Sequence, residues 1–409
     1  MSKFFIFFLL VLVAAVALRL SFYFLTPPKI KSGDSVSFIT TITSDPKISN
    51  GKKELIVNYG DFWHFVPVTV VLPINSAVNY GDTVEISGKI DERLLNDKTS
   101  SFLIYFPTLK AKSGGFMPIF AKIRSQITDF CEKSFSQPYS GLLAGMLLGV
   151  KNTLPNSITI SFRITGVSHV IAASGMNVTL IAGFLMSFLG RITRRKWALL
   201  FSMFGILAYM CLSGLDPSIL RAGIMGLLVF GSQLFGRQYT VVYSLFLTSG
   251  ALLFWDPLLL LDVGFQLSVG ATIGIVFLKP LIPLKGFLLD DIGTTIAAQI
   301  ATLPILLGTF GSYGLLSILV NALVLWTIPL ITILGGVGVT LGLIFQPLGQ
   351  FILVIIFPLL WYFVGVVLYF SQFALVWQIS SFPVFLTIGY YLIVVSWVWA
   401  SRLKREVRN

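Results

Sequence analysis

The hydrophobic pattern divides the chain into three regimes. Phe4–Leu25 is a nearly unbroken apolar run with Arg19 inside it, long enough for the roughly 20 residues that cross a bilayer core. Lys3 followed by Phe4–Leu18 also fits the basic and apolar regions of a signal peptide. The apolar character resumes through Phe22–Leu25, which favours an uncleaved signal anchor. Residues 26–115 alternate at short period, and Ser35–Thr43, Lys53–Asn58, His64–Ile74, Thr83–Ile90 and Ser101–Lys112 read as strands. Gly33-Asp34-Ser35-Val36 and Gly81-Asp82-Thr83-Val84 repeat one turn that launches a strand. Five strands in this length suit a small closed barrel of OB type.

Residues 116–137 alternate apolar and charged positions at helical spacing, too polar to span, and predict an amphipathic helix lying on the membrane surface. From there apolar runs recur to the end: Ser174–Leu189, Trp197–Leu212, Ile219–Leu234, Val241–Phe254, Gly264–Leu278, Ile292–Leu307, Leu315–Phe345, Phe351–Phe373 and Phe385–Ala400. The expected fold class is a polytopic α-helical membrane protein with an N-terminal exterior all-β OB-like domain. Its segments are 1–25 (first span), 26–115 (β domain), 116–137 (interfacial helix), 138–345 (membrane core) and 346–409 (C-terminal spans and basic tail).

Composition agrees: 56% of the 409 residues are hydrophobic and 11% charged, with mean hydropathy +0.88, against about 25% charged in soluble proteins. The net charge of +12 is unevenly placed, for residues 26–136 carry thirteen Lys/Arg and eleven Asp/Glu. The excess sits in short loops and the tail, at Arg191, Arg194, Arg195, Lys196, Arg237, Lys279, Lys285, Arg402, Lys404, Arg405 and Arg408. That is the positive-inside pattern of a plasma-membrane protein with both termini cytoplasmic and the β domain exterior. Basicity is therefore poor evidence for nucleic acid. Cys131 and Cys211 lie far apart and imply neither a disulfide framework nor a metal site.

Polar groups at bilayer depth are costly and are paired, buried in the bundle or set along a wet path. Four stretches carry them. Gly166–Asn177, GVSHVIAASGMN, holds His169, Ser174, Gly175 and Asn177, after Lys151 and Arg163, and reads as an interrupted helix. The glycines Gly141, Gly145 and Gly149 before it form a smooth packing face. In the second stretch Asp216 is a candidate N-cap, Pro217 and Ser218 open a helix, and Arg221 follows one turn later. The third holds Asp262, Gly264, Gln266 and Ser268, with Asp262 the natural partner for Arg221. The fourth holds Gln299 and Asn321, with Thr302 before Pro304.

Ser174-Gly175 is similar to the nucleophile motif of intramembrane serine proteases, but a serine nucleophile needs a base at hydrogen-bond distance. His169 is five residues away and off the serine's helical face, and the other histidine, His64, lies in the β domain. No metal cluster, phosphate loop or nucleotide-hydrolysing motif is visible, so neither catalysis nor a cofactor is expected. A conduit or carrier is what this pattern leaves.

In order along the chain, "GVSHVIAASGMNVTLIAG", "GLDPSILRAGIMG", "DPLLLLDVGFQLSVGATIGI" and "AAQIATLPILLGTFGSYGLLSILVNALV" resemble the motif blocks of the ComEC family of bacterial competence proteins over about residues 138–345. The resemblance implies an inner-membrane channel for single-stranded DNA in natural transformation. Its implied partners are single-stranded DNA, the lipid bilayer, an exterior DNA-receptor protein and a cytoplasmic helicase-like ATPase. It also implies an exterior OB-like domain receiving the strand, where Tyr59, Phe62, Trp63 and Tyr80 are stacking candidates, beside Phe65, Tyr105 and Phe106 with Lys52, Lys53 and Lys110. Asn177 stands where the family usually has a second histidine. The metallo-β-lactamase-like nuclease motif of larger members is absent from the sequence, so either a separate nuclease removes the second strand or the substrate arrives single-stranded. Two other readings stay open: a secondary carrier or flippase for a smaller polar or lipid-linked substrate, and a membrane-anchored binding module.

Overall fold

The computed structural model describes residues 3–26, 32–43, 46–49, 51–76, 78, 80–96, 99–111, 117–150, 154–171, 174–282, 287–373, 376–378 and 383–406. The first apolar run is one helix, α1 (Lys3–Leu25). The alternating region that follows forms eight strands: β1 (Ser35–Thr41), β2 (Lys47–Ser49), β3 (Lys52–Asp61), β4 (His64–Pro73), β5 (Thr83–Lys89), β6 (Asp91–Asn96), β7 (Thr99–Tyr105) and β8 (Thr108–Ala111). They make two sheets, ordered β1-β5-β8 and β2-β3-β4-β7-β6, rather than one closed five-stranded barrel. The expected strand Ser101–Lys112 explains the difference. Phe106 adopts φ +46 and Pro107 has no N–H to donate, so the strand breaks there. Its halves join different sheets, β7 parallel to β4 and β8 antiparallel to β5. Val57, Val68, Val70 and Leu72 of one sheet and Val36, Val84 and Ile86 of the other share the core, as period-2 alternation requires.

The segment expected on the membrane surface is α2 (Met117–Ser134), but protein takes its buried face. Arg124, Phe130 and Cys131 are buried, and α2 packs on α3 (Tyr139–Leu148), α7 (Arg195–Leu212) and α13 (Thr327–Ile344). An amphipathic pattern does not distinguish a bilayer surface from a protein groove. The Arg124 guanidinium meets the Leu148 carbonyl while Phe135 and Tyr139 stack on Phe357, so α2 and α3 form an antiparallel hairpin reaching down into the bundle. α3 is buried almost throughout, glycines included. Burial beside Phe130, with the Glu132 carboxylate adding to it, pushes the Cys131 thiol up to about 12, so this cysteine is inert.

The remaining helices in chain order are α4 (Asn156–Ile164), α5 (Ser168–Ile171), α6 (Gly175–Ile192), α7, α8 (Pro217–Leu234), α9 (Val241–Trp255), α10 (Val263–Phe277), α11 (Phe287–Phe310), α12 (Ser317–Val324), α13, α14 (Gln346–Ser371) and α15 (Val384–Glu406). Two short strands, β9 (Ser312–Gly314) and β10 (Val376–Gln378), pair antiparallel. The expected span Leu315–Phe345 is two helices, α12 and α13. Among the described residues seven helices are long and apolar enough to cross a membrane: α6, α7, α8, α10, α11, α13 and α14. α1, α9 and α15 contain shorter apolar windows. The molecule is a polytopic membrane protein with an N-terminal β domain, turning rings such as Phe204, Phe351 and Trp361 outward.

Candidate functional site

The expected helix interruption is present. α4 ends at Ile164, Gly166 turns the chain at φ +75, α5 lasts four residues, and α6 starts at Gly175. Two close approaches hold this break. A Cβ on Gly166 would stand 2.4 Å from the Ser317 Cβ of α12, and one on Gly314 would stand 2.0 Å from the Ile164 carbonyl oxygen. Gln299 of α11 donates to the Ser317 hydroxyl at 3.2 Å, so the first and fourth polar stretches meet.

The second and third stretches meet at Arg221. This side chain is buried at 6% exposure and donates through Nε and Nη2 to the Ser268 hydroxyl of α10, at 3.0 and 2.6 Å. Nη1 faces the Met225 sulfur at 3.1 Å. The first stretch closes on the same group, for a Cβ on Gly175 would lie 3.1 Å from the Ala222 Cβ and 3.8 Å from Arg221 Nη2. α10 in turn packs along α11, with Gly270 against Thr302. The four stretches, scattered over some 150 residues of sequence, thus form a closed circuit of contacts through α6, α8, α10, α11 and α12.

The expected Arg221–Asp262 pair does not form. Asp262 caps α10, its Oδ1 accepting the Phe265 N–H at 2.6 Å, and Asp256 caps the following turn through the Leu258 N–H at 2.9 Å. Each carboxylate satisfies orphan helix donors close by in sequence. Burial raises the Asp256 carboxyl, opposed by that Leu258 N–H. No carboxylate lies within salt-bridge range of Arg221 among the described residues. The guanidinium has five N–H donors, and its hydrogen-bond partners among the described residues are a hydroxyl and a thioether. The start of α6, the positive end of its dipole, lies against it. A buried cation without a counter-ion beside a helix N-terminus is suited to a transient anion.

The other predicted residues divide clearly. His169 is exposed and hydrogen-bonds the Gly166 backbone. Ser174 holds the N-cap position of α6, half-buried, with no cap bond from its side chain. Pro217 is the first residue of α8, Asp216 stands at the cap without a side-chain cap bond, and Ser218 is half-buried. Asn177 is 2% exposed and donates to the Met146 carbonyl at 2.7 Å, tying α6 to α3. Gln266 donates to the Leu260 carbonyl at 2.7 Å, and Gly264 lies beside the Asp262 carboxylate. Asn321 is buried, its Oδ1 without a partner among the described residues. Arg163 is exposed on α4, and Lys151 lies outside the described residues.

Asn177→Asp is expected to destabilise the protein by on the order of 3 kcal/mol, because a buried carboxylate would face a carbonyl. Asn177→His keeps a donor and should cost less. The thermal unfolding midpoint of the detergent-solubilised protein checks both.

Of the four aromatic candidates Tyr80 serves another end, while Phe62 and Trp63 have packing roles but stay 42% and 53% exposed. Tyr80 is 5% exposed, lies under the Arg124 guanidinium and donates to the Cys211 carbonyl at 2.6 Å, so no ring face is open to a base. Phe62 and Trp63 form the β3–β4 turn and pack on Phe254 of α9. Their carbonyls accept from Arg19 of α1, at 2.5 and 2.9 Å, and Arg19 also reaches the Phe254 carbonyl at 3.2 Å. Tyr59 is half-buried against Phe38. Arg19, Arg124 and Ser317 were not legible as contributors. An arginine in an apolar run, or in an amphipathic helix, reads as interruption or surface charge.

A family model described as "Competence protein" matches residues 146–404, beyond the motif region into α15. ComE operon protein 3 of Bacillus subtilis (strain 168) is 26% identical over 205 residues, which are 49% of this chain and 26% of that protein. Competence protein ComA of Neisseria gonorrhoeae is 26% identical over 210 residues, 48% of this chain and 30% of that one. Recombination protein 2 of Haemophilus influenzae is 31% identical over 139 residues, 32% of this chain and 18% of that one. The matched segments thus span less than a third of these relatives' lengths. No solved structure matches the chain.

Proposed function

The chain belongs to the competence protein family, and on that premise we propose that it is a membrane conduit carrying single-stranded DNA into the cytoplasm. The observation that carries the reading is Arg221, a buried cation with no carboxylate in range among the described residues, held where the first three polar stretches meet. A phosphodiester would supply the missing charge. Beside it stand the Ser268 hydroxyl and the start of α6 at Ser174–Gly175, and His169 and Gln299 would add neutral groups farther along the path, whose weak contacts would let a strand move on.

Helix direction supports an exterior β domain. α7 ends at Leu212 against the Arg124 clamp and α9 ends beside Phe62, so the basic Arg191–Lys196 loop and Arg237 lie at the end of the bundle opposite the β domain. By the positive-inside rule that opposite end is cytoplasmic. Driving force and delivery would come from a cytoplasmic helicase-like ATPase and an exterior DNA receptor, with a separate nuclease removing the second strand.

Uptake of labelled DNA in competent cells with the gene deleted, and again with it restored, tests the reading. Uptake should fall to background on deletion and return on complementation. Unchanged uptake in the deletion strain would refute it.

A further inference from the structure

The C-terminus of α7 is unusually fully capped. Its last four carbonyls belong to Tyr209, Met210, Cys211 and Leu212, and a helix cannot satisfy these itself. The Ser213 backbone and hydroxyl serve Tyr209, and the Leu215 N–H serves Met210 at 3.2 Å. The other two acceptors are met from outside the helix: Cys211 by the Tyr80 hydroxyl of the β domain, and Leu212 by Arg124 of α2. Arg124 also takes the last carbonyl of α3, Leu148, at 3.0 Å, and its guanidinium lies 5.0 Å from the Tyr80 ring centroid.

The chain then makes two consecutive left-handed residues, Gly214 at φ +95 and Leu215 at φ +56. Glycine is at ease there, but a leucine holds this backbone only when its surroundings over-determine it. Those surroundings are the same clamp. A Cβ on Gly214 would stand 3.8 Å from Arg124 Nη1 and from the Thr43 carbonyl oxygen of the β domain, and 3.9 Å from the Tyr80 ring. Two residues later α8 begins at Pro217, and Arg221 follows about one turn on. Arg221 lies one turn into the same helix and moves with that first turn, so a shift of the turn would displace Arg221 from Ser268.

We infer that Arg124, with Tyr80, is a positioning residue for the Arg221 site: it holds the Gly214–Leu215 turn, so the seating of the β domain sets where Arg221 stands. The word "site" rests on the proposed function, whereas the mechanical link does not.

The test uses the full chain in membranes, with Ser218→Cys as a reporter at the start of α8 in a Cys211→Ser background; Cys131 is buried. Arg124→Gln should change the maleimide labelling rate at this reporter severalfold and abolish the uptake seen in the parent. Adding Leu215→Gly, which keeps the left-handed turn without strain, should bring both back toward the parent values, whereas Leu215→Ala should not. A purely structural role for Arg124 would not be rescued by a glycine in another helix connection. Should Arg124→Gln fail to reach the membrane, Tyr80→Phe removes the Cys211 bond while keeping the ring under Arg124, and should change labelling in the same direction by less. Unchanged labelling in the folded variants, or no rescue by Leu215→Gly, overturns the inference. Labelling needs no DNA, so its outcome stands apart from that of the deletion experiment.

Discussion

Arg221→Ala is expected to lower DNA uptake about ten- to a hundredfold, the effect of losing one charge-assisted contact of roughly 1.5–3 kcal/mol. The protein should still reach the membrane in normal amount. Removing the side chain deletes a buried, unneutralised charge, which relieves a desolvation cost, and the Ser268 hydroxyl it leaves can turn to a carbonyl of its own helix. Arg221→Lys keeps the charge but replaces the planar fork by a single ammonium, so an intermediate uptake is expected. Uptake of labelled DNA per molecule of membrane-inserted protein is the measurement. Normal uptake by Arg221→Ala would show that no phosphate leans on this cation. Low uptake accompanied by low protein level would instead make Arg221 a folding residue, equally against the proposal.

The second large effect is on folding. Gly166→Val should leave little protein in the membrane, because φ +75 and the approach to the Ser317 Cβ both exclude a side chain. A β-branched residue in the left-handed region combines backbone strain with an overpacked contact, together on the order of 3–5 kcal/mol. Gly314→Ala should fail comparably, since its new methyl would stand against the Ile164 carbonyl oxygen, which is backbone and cannot swing away. Gly183→Ala, with nothing within 4 Å of the added carbon, is the neutral comparison. The monodisperse fraction after mild detergent extraction separates these cases. Full recovery of Gly166→Val would mean that α4, α5 and α12 are not locked at this junction.

Hydrophobic pattern made the spans legible because each must be apolar for about 20 residues, and α6 to α10 begin and end within a few residues of the expected limits. The Gly166–Asn177 break was legible for the opposite reason, since glycines and polar atoms concentrate where a buried helix is interrupted. The split between α12 and α13 is signalled by Pro329 rather than by any loss of apolar character: it has no N–H for the Leu325 carbonyl and its ring crowds that carbonyl, so one regular helix does not run through. Val320 and Val324 of α12 and Ile328 and Ile331 of α13 then share one core with Phe363 of α14.

Charge logic also chose wrongly within the site. It offered Asp262 to Arg221, but an aspartate at a helix start satisfies the N–H groups three residues on, and the arginine turned to Ser268 instead. One aromatic candidate failed for a related reason. Tyr80 has the composition of a base-stacking ring, yet it is buried and caps α7, whereas Phe62 and Trp63 seat a turn on α1 and α9 with their rings still exposed. Nothing in a sequence separates a ring that meets a nucleobase from one that meets a helix end.

The central claim is that single-stranded DNA passes the junction of α6, α8 and α10. Ser174→Cys, in a Cys211→Ser background, places a thiol at the start of α6 beside Gly175, and Phe204→Cys places one on the exposed face of α7 as a control. Labelling by a small charged thiol reagent is measured in cells actively taking up DNA and in the same cells without DNA. DNA in transit should protect Ser174→Cys, leave Phe204→Cys unaffected, and be blocked once Ser174→Cys is modified. Equal labelling of Ser174→Cys with and without DNA, together with undiminished uptake after modification, would contradict the account.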